Sequence, residues 1–297
     1  TILRGMLGAD VVGLQTQRDV RAFLACCAEL PDVTIDADRA VVTVPAGRDV
    51  RVRAFPASTD PRALRRSMES AAVQRARERL APHLERQTII RVDRLDPSKN
   101  QLVGFIAFER LLELRPDLRG RVRFLAFLVP SRTDLSVYRL YGDAIYRKIE
   151  EINDRFGSEG DSPPIQVFYT NDRDQALAAM EACDVLLVNS LADGMNLVAK
   201  EWAIVSRRPG ALIVSETAGV AEEVGDSALL VSPLDAEGTA HALAQALDMT
   251  AEERAARLSQ FRQRVTKWTA ADWLTAQLEA LDIAVPGSPP RRSPRTA

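Results

Sequence analysis

Between Gln87 and Leu247 the chain alternates short apolar runs with helix-forming stretches six times, and few folds accept that rhythm. The runs are Thr88 to Val92, Val122 to Val129, Ile165 to Tyr169, Val185 to Val188, Ala211 to Val214 and Ala228 to Val231. Each is long enough for a buried strand and too short for a buried helix. Helices are predicted over 100–114, 134–156, 173–182, 195–205 and 236–247, with a short one after Gly219. Unbroken Val/Ile/Leu strands joined by helices predict an α/β fold with a doubly wound parallel sheet, covered on both faces. Helices over 252–265 and 270–281 follow.

In such a sheet, ligands gather where strands end and helices begin. The fourth step, DVLLVNSLADGMNLVAKEW from Asp184 to Trp202, shows this layout most plainly. A short strand leads into the polar turn Ala192-Asp193-Gly194, and a helix rich in good helix formers follows. Free backbone N–H groups at that helix start face an anion. Glu201 lies eight residues beyond Asp193, about two helical turns away.

The same rim gathers charge after the other strands. Arg94 and Lys99 follow the first strand in RVDRLDPSK, and Pro130-Ser131-Arg132 follows the second. Taken singly, each cation reads as a surface ion-pair partner. Asp193 alone could be a turn former or helix cap, and Glu201 a helix surface residue. Placed together on one sheet edge, three cations and two carboxylates suit a phosphorylated ligand. Arginine offers planar paired donors, lysine a point charge, and the helix start partial positive charge.

The region before Gln87 lacks this rhythm. It offers a strand over 9–14, a helix over 15–30, a hairpin flanking Pro45 to Asp49, and one charged helix over 61–80. It reads as the tail of a domain whose core lies upstream. The chain starts with Thr at what looks like a helix end, so a fragment that has lost an N-terminal part is expected. The tail PGSPPRRSPRTA is Pro-, Ser- and Arg-rich and is expected to be disordered.

Composition removes several classes. The formal net charge of −2, from 39 basic and 41 acidic residues, gives no argument for a nucleic-acid or membrane-surface partner. No apolar run reaches the roughly 18 residues of a membrane helix. Cys26, Cys27 and Cys183 lie in apolar surroundings and read as buried thiols of a reducing cytoplasm. His83 and His241 stand apart from any Cys/carboxylate cluster, so no metal site is expected. Neither follows a strand end, which argues against a Ser-His-Asp hydrolase.

RVDRLDPSKN, VPSRTDLSVY and DVLLVNSLADGMNLVAKE together resemble the signature blocks of trehalose-6-phosphate synthases, the retaining glycosyltransferase family 20. LRGMLGADVVGLQTQRDVRAFL resembles a segment late in that family's N-terminal domain, and the likeness runs from about residue 3 to 282. The resemblance implies a GT-B fold of two Rossmann-like domains, the N-terminal one here only a remnant. Residues 1–86 would end the N-terminal acceptor domain, 87–265 form the nucleotide-sugar domain, 266–284 a crossover helix and 285–297 the tail.

It implies transfer of glucose from UDP- or GDP-glucose to glucose 6-phosphate, giving α,α-trehalose 6-phosphate, with no cofactor and no catalytic metal. Arg94 and Lys99 match the pair holding the donor diphosphate, and Arg132 the arginine reaching the acceptor phosphate. Asp193 matches the carboxylate binding the donor sugar hydroxyls. Gly194, Met195, Asn196, Leu197 and Val198 match the loop whose amides meet sugar and diphosphate, and Glu201 the ribose-binding glutamate. The family resembles front-face transferases, so no nucleophile is assigned.

The chain departs from the family pattern. Ala192 replaces an arginine common before DGMN, Pro97 replaces a tyrosine, Asn100 replaces a glycine, and FPASTD stands for FPIGID. A related enzyme with another acceptor, such as a glucosylglycerol phosphate synthase or a pseudo-glycosyltransferase, and a non-catalytic nucleotide-sugar-binding regulator are the alternatives. The chain alone is expected to bind nucleotide weakly and not to turn over. A soluble cytoplasmic protein is expected, and a homo-oligomer is compatible with the sequence.

Overall fold

A computed structural model describes residues 2–45 and 47–281. The expected disordered tail lies outside the described residues. The chain forms two compact units: one runs to Ser58 and resumes at Trp268, and the other is Thr59–Lys267.

The first unit holds α1 (Ile2–Met6), β1 (Val11–Leu14), α2 (Gln17–Ala28), β2 (Thr34–Asp36), β3 (Val41–Val44) and β4 (Arg48–Ala54). Its sheet runs β1-β4-β3-β2, with β1 parallel to β4 and the other pairs antiparallel. α2 starts with a capping box, Thr16 and Asp19 bonding each other's backbone N–H. Its buried face, Val20, Phe23, Leu24 and Cys27, packs on Val12, Val42, Val50 and Val52. Cys26 is one helical position off that stripe and is exposed, against the expectation of a buried thiol; Cys27 and Cys183 are buried and all three are unpaired. The last helix of this series, Ala270–Ala280, also belongs here. Indole N–H groups of Trp268 and Trp273 donate to Pro56 O (2.7 Å) and Phe55 O (3.1 Å).

The second unit opens with α3 (Pro61–Met68) and α4 (Ala71–Leu80). The single helix expected over 61–80 is broken at Glu69-Ser70, because Ser70 turns its hydroxyl to Val73 N–H and caps a new start. Both helices pack within this unit, α3 on α8 and α4 on α7. Thereafter come β5 (Gln87–Arg94), α5 (Gln101–Leu114), β6 (Val122–Val129), α6 (Ser136–Phe156), β7 (Ile165–Tyr169), α7 (Arg173–Ala182) and β8 (Val185–Val188). α8 (Leu197–Val205), β9 (Ala211–Ser215), α9 (Ala221–Val224), β10 (Leu229–Val231), α10 (Ala236–Asp248) and α11 (Ala251–Lys267) complete it, and the Ala270–Ala280 helix is α12.

The six strands form one parallel sheet in the order β10-β9-β8-β5-β6-β7. Successive strands run outward from β5 to β7, and the chain then returns to β8 on β5's other side. The order therefore reverses between β5 and β8, where an open α/β sheet leaves a crevice at its carboxyl end. Alternate strand residues Ile89, Phe124, Val185 and Ile213 pack with Phe105 and Phe108 of α5, Ile145 of α6 and Leu243 of α10. The intervening residues Ile90, Leu125, Leu186 and Leu212 are equally buried and point to the other face.

Phe124 is fully buried, with ring centroids 5.2 Å from Phe105 and 5.4 Å from Phe108. Phe124→Ala should lower stability by about 3–5 kcal/mol in urea titration; a loss under ~1 kcal/mol would mean that this aromatic cluster is not central to the core.

Candidate active site

The crevice between β5 and β8 is built from two strand–helix turns. After β5, Asp96 caps a 3-10 turn at Pro97–Lys99, its carboxylate accepting from Ser98 N–H (2.9 Å) and Ser98 Oγ–H (2.8 Å). Burial pushes the Asp96 carboxyl up, but those bonds, a third from Tyr138 and the charge of Arg94 together bring it below its ordinary value. Asn100 then takes the left-handed conformation (φ 58°) that starts α5.

After β8, Asp193 forms a parallel bridge with Ala218. The amides of Gly219 and Val220 donate to Asp193 O (2.9 Å) and Met195 O (2.7 Å). A Cβ on Gly219 would overlap Gly194 O, so only glycine permits this approach. Asn196, also left-handed (φ 76°), caps α8 by accepting from Ala199 N–H (3.0 Å). The amides of Leu197 and Val198 have no intrahelical acceptor, as at any helix start. Because α8 begins at Leu197, Asp193 lies outside the helix, and the spacing of two helical turns expected between it and Glu201 does not hold.

These turns bring Lys99 and Asp193 into contact. Lys99 Nζ donates to Asp193 Oδ2 at 2.5 Å, and Asn196 Nδ2 donates to the same oxygen at 3.0 Å. Both charged side chains are mostly buried. Arg94 is exposed, and its guanidinium makes no hydrogen bond or ion pair among the described residues. Arg132 sits on a left-handed backbone (φ 46°) and donates to the Tyr138 hydroxyl at 2.8 Å, which itself donates to Asp96 at 3.2 Å. Glu201 lies farther along α8 and accepts from Arg173, at the start of α7 (3.2 Å).

So Lys99, Asp193 and Asn196 are joined directly, and Arg132 is joined to the Lys99 turn through Tyr138 and Asp96. Gly194 and Leu197 are exposed, Val198 is half-buried, and Met195 points into the core. Among the described residues no group of three or more His, Cys, Asp or Glu side chains is placed to hold a metal.

Sequence reasoning passed over Arg91, although a charge inside the apolar run TIIRV is itself a signal. Its side chain is fully buried and donates twice to Asp93 Oδ2 (2.7 and 3.0 Å) and once each to Lys99 O (2.9 Å) and Gln101 O (3.4 Å). An added Cβ on Gly104 would lie 2.5 Å from its Nη1, so α5 passes against the guanidinium. Arg91 thus ties β5 to the backbone of the residue that carries the Lys99 ammonium. Asn189 and Asn100 add a reciprocal pair, each side-chain amide donating to the other's backbone carbonyl (3.0 and 3.2 Å).

Residues 1–283 match the profile of glycosyltransferase family 20. The chain is 34% identical over 292 residues to an Arabidopsis thaliana alpha,alpha-trehalose-phosphate synthase (UDP-forming), covering 96% of this chain and 30% of that protein. An E. coli chain solved with UDP-2-fluoro glucose superposes with a TM-score of 0.88 at 30% identity, over 96% of this chain and 63% of that one. A Burkholderia xenovorans alpha,alpha-trehalose-phosphate synthase solved with glucose-6-phosphate gives 0.87 at 32% identity, over 94% and 62%. The chain spans less than two thirds of each of these relatives.

Burial raises the Asp93 carboxyl above its ordinary value, and Arg91 is the strongest influence opposing it. Arg91→Met should therefore cost about 3–5 kcal/mol at neutral pH by leaving a buried charge. A raised folded-state pKa makes the folded protein bind the extra proton. The deficit should shrink as pH falls through the raised Asp93 value toward the unfolded one, near 4. Urea midpoints at several pH values check this; a deficit independent of pH would remove Asp93 from the explanation. The match of residues 1–283 to the family profile and the superposition on a GT-B trehalose-6-phosphate synthase chain at 30% identity place this chain in glycosyltransferase family 20.

Proposed function

We propose that this chain carries the nucleotide-sugar side of a retaining glucosyltransferase that moves glucose from UDP-glucose to glucose 6-phosphate, yielding α,α-trehalose 6-phosphate. The carrying observation is the crevice at the sheet's reversal, where Lys99 meets Asp193 beside the α8 start and an unpaired Arg94. Similar proteins are named as UDP-forming synthases, and solved neighbours hold a UDP-glucose analogue or glucose-6-phosphate. Because the chain spans under two thirds of those relatives, the reaction is proposed for a polypeptide of their length.

In this reading Arg94 and Lys99 hold the donor diphosphate, and the amides of Gly194 to Val198 face the sugar and the β-phosphate. Asp193 exchanges part of its bond with Lys99 for hydroxyls of the donor glucose. Glu201 takes the ribose hydroxyls, and Arg132 the acceptor phosphate. The bond from the glucose anomeric carbon to the β-phosphate oxygen breaks, and the acceptor's anomeric oxygen forms the new bond on the same face. Its proton passes to the departing phosphate. Negative charge grows on that phosphate, and fixed cations and a helix start stabilise it without reorganising. We assign no divalent ion to the step.

We also propose a cytoplasmic setting, and a domain division in which the sheet of β5 to β10 holds the donor. No described helix is long and apolar enough to cross a membrane.

The test is an assay with glucose 6-phosphate and, separately, UDP- and GDP-glucose, with chelator present and trehalose 6-phosphate read by mass spectrometry. Product from UDP-glucose is expected. Saturable nucleotide binding without product would move the weight to another acceptor or to a regulatory role. Lys99→Ala should cut kcat/KM by about 10²–10³-fold, far more than the loss of its partly buried pair with Asp193 lowers the unfolding midpoint; unchanged turnover would remove the diphosphate role. Arg132→Ala should raise KM for glucose 6-phosphate and spare donor affinity; an equal loss of donor affinity would contradict its role.

A further inference from the structure

A cavity of about 420 Å³ opens beside the turn between β6 and α6. Its volume is within the range of small-molecule sites, roughly 300–1,000 Å³. None of Lys99, Asp193, Glu201 or the Gly194 to Val198 loop lines it, so it is separate from the crevice described above. It adjoins that crevice: Leu95 and Ser131 of its lining are chain neighbours of Arg94 and Arg132, and Tyr138 lines the cavity and accepts the hydrogen bond of Arg132.

The chemistry of the walls narrows the ligand. Tyr146 and Tyr169 meet edge to face, with centroids 6.2 Å apart and planes at 82°. Perpendicular rings make a corner, not the parallel slot that would sandwich a flat base. A corner presents one aromatic face to one side of a saturated ring. Around it stand the hydroxyls of Ser131, Thr133 and Ser136, none of which makes a hydrogen bond among the described residues. The Asp143 carboxylate also lines the cavity and has no hydrogen bond or ion pair among the described residues. The one cation in the lining, Arg139, spends Nη1 on Thr133 O (3.0 Å) and Asp134 O (2.9 Å). Those acceptors are neutral carbonyls, so the Arg139 charge offsets that of Asp143 and the lining carries no net charge to select a phosphate or other anion. An aromatic face, a carboxylate that accepts from two adjacent hydroxyls, and three hydroxyls of its own suit a neutral polyol ring.

We propose that this cavity is a binding subsite for a neutral pyranose sugar, a mono- or disaccharide, distinct from the donor crevice. The sugar's apolar face lies on the tyrosine corner, and its hydroxyls bond Asp143 and the serine and threonine hydroxyls. The inference does not depend on the proposed reaction.

Calorimetric titration with D-glucose and maltose, and with inorganic phosphate and adenosine as controls, tests it. Saturable binding of a sugar is expected, with neither control binding as tightly. Asp143→Asn keeps the shape of the side chain and should weaken sugar binding about tenfold or more. Tyr169→Ala removes a side chain that is 45% exposed, so the fold should survive, and it should weaken binding similarly. Asp193→Asn, in the crevice, should leave the sugar affinity unchanged. The proposal fails if neither sugar binds saturably, if phosphate or adenosine binds more tightly, or if Asp143→Asn and Tyr169→Ala both leave the affinity unaltered. Loss of sugar binding in Asp193→Asn alone would assign the sugar to the crevice and equally overturn the proposal.

Discussion

A charged side chain with no access to water survives only if each of its polar groups is met, and Arg91 has this problem in the middle of the central strand. Its answer is to span the root of the site. Asp93 supplies the countercharge from the same strand, and the carbonyls of Lys99 and Gln101 supply the remaining acceptors. A guanidinium is suited to this because its donors are rigid and planar. The strand, the 3-10 turn and the first residue of α5 are thereby fixed as one piece. The ammonium of Lys99 then rises from an anchored backbone, which is what a group meant to meet charge at a fixed point requires.

The opposite wall of the crevice is fixed by different means. The backbone of Asp193 and Met195 is stitched to Gly219 and Val220, and the hydroxyls of Ser215 and Thr217 both donate to Ser190 O (2.7 and 2.8 Å). Farther along, the buried Lys200 reaches Glu223 of α9 at 2.8 Å. Three of the four non-glycine residues with positive φ among those described, Asn100, Arg132 and Asn196, sit in the site's turns. Such backbone costs about 1–3 kcal/mol apiece and persists where surrounding bonds over-determine it. For Asn100 and Asn196 those bonds join other strand ends or the helix start; Arg132 is held by its bond to Tyr138 and by Leu135 N–H, which donates to its carbonyl (3.0 Å).

The sheet was legible because its code is local. Val185 to Val188 is four apolar residues between polar breakers, and its strand has those bounds. Strand order is not local: nothing in the sequence of β8 says that it pairs with β5, so the crevice became visible only with the topology. Lys99, Asp193 and Arg132 were legible through their place after strands and through family resemblance, whereas the contact between Lys99 and Asp193, 94 positions apart, was not. Arg91 lies inside an apolar run, away from the strand ends where ligands gather, so its place after a strand could not mark it. The helix break at Ser70 was missed because a capping serine inside a charged amphipathic stretch resembles an ordinary polar position.

One departure from the family pattern, Asn100, has a structural reason. A glycine after the lysine would take the left-handed backbone without strain, yet this chain has Asn100 there at φ 58°, ψ 40°. Asparagine is the side chain that tolerates this region best after glycine, and it adds what glycine lacks. Its amide donates to Asn189 O at the end of β8 and to Pro233 O beyond β10 (2.6 Å), while Asn189 returns a bond to Asn100 O. One residue thus clips the β5 turn to two other strand ends across the sheet's point of reversal. Arg91, fixed to the carbonyl of Lys99, grips the same turn from below. Lys99 lies between these two anchors, so the turn gains from side-chain bonding the rigidity that glycine would not supply.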